Sequence, residues 1–215
     1  MENGRDRGSL MTQEIRVYVE GGGDWKENKA RLRQGFNGFL KSIVDLARGK
    51  RIKWEVSPCG SRKQAFDAFQ TALRTHPNAF NVLLVDSEGS VSSEPRQYLR
   101  ERNGWNLSSV DEEQCHLMVH TMEAWIIADI TALKKFYRQG FHSGAIPKTP
   151  DVEQIEKSKV ESSLKAATRK TQKGEYHKIR HASELLKLID PAKVRKAAAH
   201  CDRLFLTLEQ KIDQP

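Results

Sequence analysis

One segment limits the possible folds more than any other: FNVLLVDSEG, residues 80–89. Its apolar run from Val82 to Val85 is uninterrupted and is followed by an acid and then a glycine. Such a run reads as a strand buried on both faces. Strands of that kind are central and parallel, because only helices above and below a sheet remove both faces from water. Two shorter strand patterns precede it, EIRVYVE at 14–20 and IKWEVSP at 52–58, the second stopped by Pro58. Segments of helical period lie between them. DWKENKARLRQGFNGFLKSIVDLARG aligns Leu32, Phe36, Phe39, Leu40, Ile43 and Val44, with Asp24 placed as an N-cap and Gly49 as a C-terminal stop. SRKQAFDAFQTALRTHP opens at Ser61 and aligns Ala65, Phe66, Phe69, Ala72 and Leu73. This β-α-β-α-β alternation predicts an α/β fold: a mostly parallel central sheet flanked by helices, with right-handed crossovers.

Beyond residue 90 the pattern loosens. Residues 90–113, around EPRQYLRERNGW, read as a polar connection. QCHLMVHTMEAWIIADITALKKFYRQ begins as a strand near 115–119 and turns helical at 122. GFHSGAIPKTP is turn-rich and reads as a linker or long loop. ASELLKLI and PAKVRKAAAHCDRLFLTLEQKI then form a helical pair, the latter opened by Pro191 at the first helical position. The expected organisation is a flexible N-terminus over 1–12, an α/β domain over 13–140, and a mainly helical extension over 141–215 packed on it.

The strands end on acids. VYVEGGGD closes the first with Glu20, three glycines and Asp24, and VDSEG puts Asp86 and Glu88 at the carboxyl end of the central one. Ligands of open α/β sheets bind outside those ends. Asp86 and Glu88 point together if the strand stays extended, since residues two apart share a face. Clustered carboxylates repel one another unless a cation neutralises them, and Mg²⁺ or Mn²⁺ accepts such oxygen ligands. The glycines permit a sharp turn and close backbone approach. They fit neither a phosphate loop, which needs a following Lys-Ser/Thr, nor a dinucleotide GxGxxG. The plainer alternative is turn and cap chemistry, with Asp24 capping a helix and Glu88-Gly89 making a turn. Glu123 either completes the acidic site from the next strand end or is a helix-start glutamate favoured by the dipole.

A formal net charge of +8 and a sequence pI of about 9.4 favour a polyanionic partner, nucleic acid first. Eight Lys/Arg against two acids between Lys157 and Arg180 sharpen that expectation. Lys165, Arg169, Lys170 and Lys173 are candidate nucleic-acid contacts, with a solvated loop as the alternative; Lys178 and Arg62 are candidates nearer the acids. No run of 18 apolar residues occurs, so no transmembrane helix is expected. MENGRDRGSLMTQ has no apolar core of a secretory signal, and Met11 is an alternative start. Cys59, Cys115 and Cys201, odd in number and widely spaced, point to reduced thiols and a cytoplasmic location. Cys115-His116 with His120 lacks a second zinc arm. His177 and His181 read as surface residues, and Trp54 and Trp125 as core.

VYVEGGGD followed by LLVDSEG resembles the Toprim fold, a Rossmannoid fold of topoisomerases, primases, small ribosomal-RNA maturases and overcoming-lysogenization-defect nucleases. In that family a glutamate follows the first strand, matched by Glu20, and a D-x-D or D-x-E pair follows the third, matched by Asp86 and Glu88. The E-G-x-x-D form, with Asp24, is most similar to the nuclease branch. MVHTMEAWIIAD and YHKIRHASELLKLIDPAKV resemble a family of small standalone Toprim-like proteins, often encoded beside an AAA/SMC-type ATPase in settings suggestive of phage defence. The resemblance covers residues 14–208 but brings no ATPase region and no S-x-G-x-K element. It implies Mg²⁺- or Mn²⁺-dependent phosphodiester cleavage: a DNA endonuclease working with an ATPase partner in phage defence or DNA repair. Glu20 and Asp86 would be catalytic, and Glu20, Asp24, Asp86, Glu88 and Glu123 would bind metal. The alternatives are a non-catalytic metal- or partner-binding module and an RNA-processing nuclease. A homo-oligomer is left open.

Overall fold

A computed structural model describes residues 12–214. The expected flexible lead-in, including the alternative start at Met11, lies outside the described residues save for Thr12. The first half alternates as its periodicity requires: β1 (Glu14–Glu20), α1 (Lys26–Phe39), α2 (Lys41–Gly49), β2 (Lys53–Gly60), α3 (Arg62–Thr75) and β3 (Phe80–Asp86). Next come α4 (Pro95–Asn103), β4 (Cys115–Met118), α5 (Glu123–Ile127) and α6 (Ile130–Tyr137). The remainder is helical: α7 (Lys157–Thr168), α8 (Lys178–Leu188), α9 (Pro191–Ala197) and α10 (Ala199–Asp213).

The four strands are all parallel, in the order β2-β1-β3-β4. β3 is therefore internal, as its apolar run demands. Its side chains alternate between two cores. Val82 and Leu84 join Ile15, Val17 and Val19 of β1 against α1, α2 and the C-terminal helices. Leu83 and Val85 face Phe69 of α3 and Leu99 of α4. The first core runs without interruption into Leu164, Leu185, Leu204 and Ile212. No helix among the described residues is long and apolar enough to cross a membrane.

Local chemistry sets several boundaries differently from the periodicity. The long first helix breaks at Leu40, and its N-cap is Trp25 rather than Asp24, without a side-chain cap. β2 passes through Pro58 to Gly60. It is an edge strand, where a missing N–H costs no ladder bond on the open side. The supposed polar connection contains α4, whose buried face is only Pro95 and Leu99, too sparse to show helical period. The last helical segment is split at Ala198. His181 is buried, its Nδ1 3.0 Å from the Tyr137 hydroxyl, and is not a surface residue. Trp125 lies fully in the core; Trp54 packs on its margin and donates to Asn37 at 3.0 Å.

Two contacts position the strand ends and the helices beside them. Gly21, at φ +124°, pairs with Gly60 by bonds of 2.7 and 2.9 Å, an antiparallel bridge from the residue after β1 to the last residue of β2. Ser61 then starts α3 with a capping box, its Oγ accepting from Gln64 N and its N donating to Gln64 Oε1. On the other side α1 lies close against α8. A β-carbon on Gly35 would stand 2.8 Å from the Ser183 carbonyl oxygen, so only glycine permits that approach.

Candidate metal centre at the strand ends

The carboxyl ends of β1 and β3 bring Glu20, Asp86 and Glu88 together. One carboxylate oxygen from each lies within 4.8 Å of the others. Asp86 is buried: its Oδ1 accepts from Met122 N at 2.8 Å, and its Oδ2 lies 3.4 Å from Thr121 Oγ1. Glu20 bridges the strands, its Oε2 accepting from Asp86 N at 3.1 Å. Glu88 reaches the cluster by a turn. Its φ of +61° takes the chain out of extended geometry, so the pair does not converge along a continued strand as expected. Ser87, fully buried between them, holds that turn by accepting from His120 N at 2.7 Å. The Tyr98 hydroxyl donates to the Ser87 carbonyl at 2.8 Å.

Glu123, the first residue of α5, is buried behind Asp86. It accepts from the Tyr176 hydroxyl at 2.9 Å and from Thr121 Oγ1, and it lies outside the group of three. Asp24 is exposed, neither capping α1 nor joining the group. Arg62 donates to the Asp86 carbonyl and, at 2.9 Å, to Asn103 Oδ1, and its guanidinium lies over the Trp105 ring. Lys165, Arg169, Lys170 and Lys173 are exposed at the end of α7 and in the loop after it.

Two lysines of the C-terminal helices enter the cluster. Lys157 Nζ donates to both Glu88 oxygens, at 2.7 and 2.8 Å. Lys178 Nζ lies 3.3 Å from Glu123 and 3.6 Å from Asp86. Lys178 is among the expected nucleic-acid contacts, yet here it faces carboxylates; Lys157 has no such mark in the sequence beyond its place in a basic stretch. One signal was present. Lys157 and Lys178 are the first residues of α7 and α8, where the helix dipole disfavours a cation. Something outside each helix must hold it, and the acids do.

The charges are tightly balanced. Burial pushes the Asp86 carboxyl up to about 7, against the pull of Lys178, with Glu20 and Glu123 adding to the rise. Burial also raises Glu20, opposed by Arg62. Burial would raise Glu123 too, but Lys178 and the Thr121 and Tyr176 hydroxyls hold it below the usual range. The same acids keep Lys178 protonated, overcoming its own desolvation. Beside the cluster lies a cavity of about 290 Å³, lined by Gly21–Gly23, Leu32, Met122 and Ile179 as well as by Glu20, Asp86 and Lys178.

A divalent cation fits this donor set. The three oxygens are hard ligands without a neighbouring thiolate or imidazole in the group, which suits Mg²⁺ or Mn²⁺. A cation about 2.1 Å from each oxygen would draw the three somewhat closer than the 4.8 Å within which they now lie.

The sequence model of a family described as "Domain of unknown function (DUF4276)" matches residues 19–209. No curated protein and no solved structure matches the chain.

Proposed function

The chain belongs to the DUF4276 family, and within that family we propose that it is a Toprim-like, metal-dependent phosphodiesterase acting on nucleic acid, DNA in preference to RNA. The observation that carries this reading is the convergence of Glu20, Asp86 and Glu88 from two adjacent parallel strand ends. A bound Mg²⁺ or Mn²⁺ would polarise a phosphate oxygen and lower the pKa of a water. Glu20, Asp86 and Glu88 would hold it. Glu20 lines the cavity beside the cluster, where a carboxylate can pass a proton between water and leaving oxygen. Lys178, kept protonated beside Asp86, supplies positive charge where a phosphate accumulates negative charge. Arg62 fixes the Asp86 backbone and orients its carboxylate. An AAA/SMC-type ATPase partner belongs to the same proposal on the strength of the Toprim resemblance, and a cytoplasmic setting on that of the three free cysteines.

One feature favours a second reading. Lys157 and Lys178 already neutralise Glu88 and Asp86, as they would in a non-catalytic module whose acids serve only as internal ion pairs. Cleavage of plasmid, linear duplex, single-stranded DNA and structured RNA, in Mg²⁺, Mn²⁺ or EDTA, separates the two. Metal-dependent cleavage that disappears in folded Glu20→Gln and Asp86→Asn supports the enzyme. Absence of both cleavage and Mn²⁺ binding establishes the module.

A further inference from the structure

Away from the acids, a cavity of about 520 Å³ opens at the end of α6, walled on the far side by the loop between α7 and α8. Its lining includes Lys135, Phe136, Arg138, Gln139, Gln172 and Lys173, and no carboxylate. Among the described residues, neither these three cations nor the neighbouring Lys165, Arg169 and Lys170 enter an ion pair. That is a different situation from Lys157 and Lys178, which are both engaged. The cations come from separate stretches that the fold brings into contact: His142 N donates to the Ala167 carbonyl at 2.9 Å, and Gly140 stands against Lys170. Arg138, a non-glycine residue at φ +58°, ψ −127°, is held in strained backbone geometry on the rim. Phe136 presents a partly buried ring, covered on one face by Lys173 Nζ at 4.6 Å.

From this combination we propose that the cavity binds an unpaired nucleotide of a single-stranded nucleic acid. The base stacks on Phe136, the flanking phosphates meet Lys135, Arg138 and Lys173, and Gln139 and Gln172 offer amides to the base edge. Stacking on an aromatic ring within a basic groove is how proteins hold single strands, and a paired base presents no free face. Lys173 leaves the ring for the incoming phosphate. The cavity also has a route to the acids. Lys178 is five positions after Lys173, so their Cα atoms are at most about 18 Å apart. Tyr137, which lines the cavity, bonds His181 of α8, the helix that begins at Lys178. The assignment rests on the nucleic-acid reading of the acidic site for its substrate class, but not on cleavage.

Fluorescence anisotropy in EDTA, where no metal-dependent cleavage occurs, tests it on the full chain. The probes are a labelled oligothymidylate, an abasic strand of equal length, a blunt duplex and thymidine monophosphate as competitor. The oligothymidylate is expected to bind at least about five-fold tighter than the abasic strand. Phe136→Leu, which leaves an apolar side chain against Tyr137 and His181 but no ring face, should erase that difference. Arg138→Gln with Lys173→Gln should weaken both strands and reduce the salt slope by about 0.7 per cation removed. Equal binding of the abasic strand, preference for the duplex, or full discrimination in folded Phe136→Leu would each overturn the proposal. Competition by the free nucleotide as strong as by the oligomer overturns the strand as its source. A chain that binds thus but never cleaves defeats the catalytic reading and leaves this one standing.

Discussion

Lys157 donates to both carboxylate oxygens of Glu88, joining the first residue of α7 to a turn 69 positions earlier in the chain. The contact makes the acidic cluster a shared product of the sheet and the C-terminal helices. Any metal at Glu88 competes with this ammonium.

Neutralising Lys157 should therefore favour the metal. Both partners are about a third exposed, so solvent already screens the pair. Lys157→Met is expected to lower the Kd for Mn²⁺ about two- to five-fold, read by calorimetry against wild type. Unchanged or weaker binding would mean that Glu88 is not a ligand.

Lys178→Met should behave oppositely in stability. It strips the cation from buried Asp86 and Glu123. A loss of about 1–3 kcal/mol in EDTA is expected, discounted for the lysine's own half-exposure. Mg²⁺ should restore part of it, and cleavage should fall even at saturating metal. Denaturant melts with and without Mg²⁺ check the first claim.

Asp86 gives a pH signature. Its folded pKa, about 7, exceeds the ordinary 3.8, so its stabilising contribution is complete below about pH 4 and is lost as pH rises through 7. Metal-free wild type should lose several degrees of Tm between pH 5 and pH 8 relative to Asp86→Asn. With Mg²⁺ present wild type should recover and the variant should not.

His116 acts in the other direction. It is buried, with Nε2 2.9 Å from the Glu113 carbonyl and Nδ1 3.2 Å from Arg203 Nη1. Burial first, and then Arg203, push its pKa down from 6.5 to about 3. The unfolded chain takes up a proton that the native one refuses, so this stability is whole above pH 6.5 and drains away as pH falls toward 3. Stability of wild type relative to His116→Gln should decline across that window in urea titrations.

Gly35→Ala tests the α1–α8 seam. Its β-carbon would meet the Ser183 backbone, which cannot swing aside. A loss of about 1–3 kcal/mol is expected. Because α8 carries Lys178, cleavage should fall further than stability alone explains, as measured on the folded fraction.

The strands and the three acids were legible because each is a local signal: an apolar run, then a carboxylate where the run ends. Ser61 was legible for the same reason, its capping partner being Gln64, three residues on. What escaped depends on distance or on context. β2 continues through Pro58 because the strand is at an edge, and position in the sheet is not written in the strand itself. Glu88 reaches its neighbours through a left-handed turn fixed by Ser87 and His120. His181 is buried by Tyr137, 44 residues away. Lys178 was expected near the acids, but as a nucleic-acid contact; Lys157 could be found only by noticing that it sits at a helix end that repels it.

The Lys157 and Lys178 contacts also bear on the order of events during synthesis. The ribosome delivers all four strands before either lysine, and N-terminal units begin to fold first. Until α7 and α8 emerge, Glu20, Asp86 and Glu88 lack both ammonium partners and keep only the Arg62 guanidinium among their neighbours. A divalent cation from solution would be the natural counter-ion for these acids in that interval, a duty that falls to Lys157 and Lys178 once their helices are made.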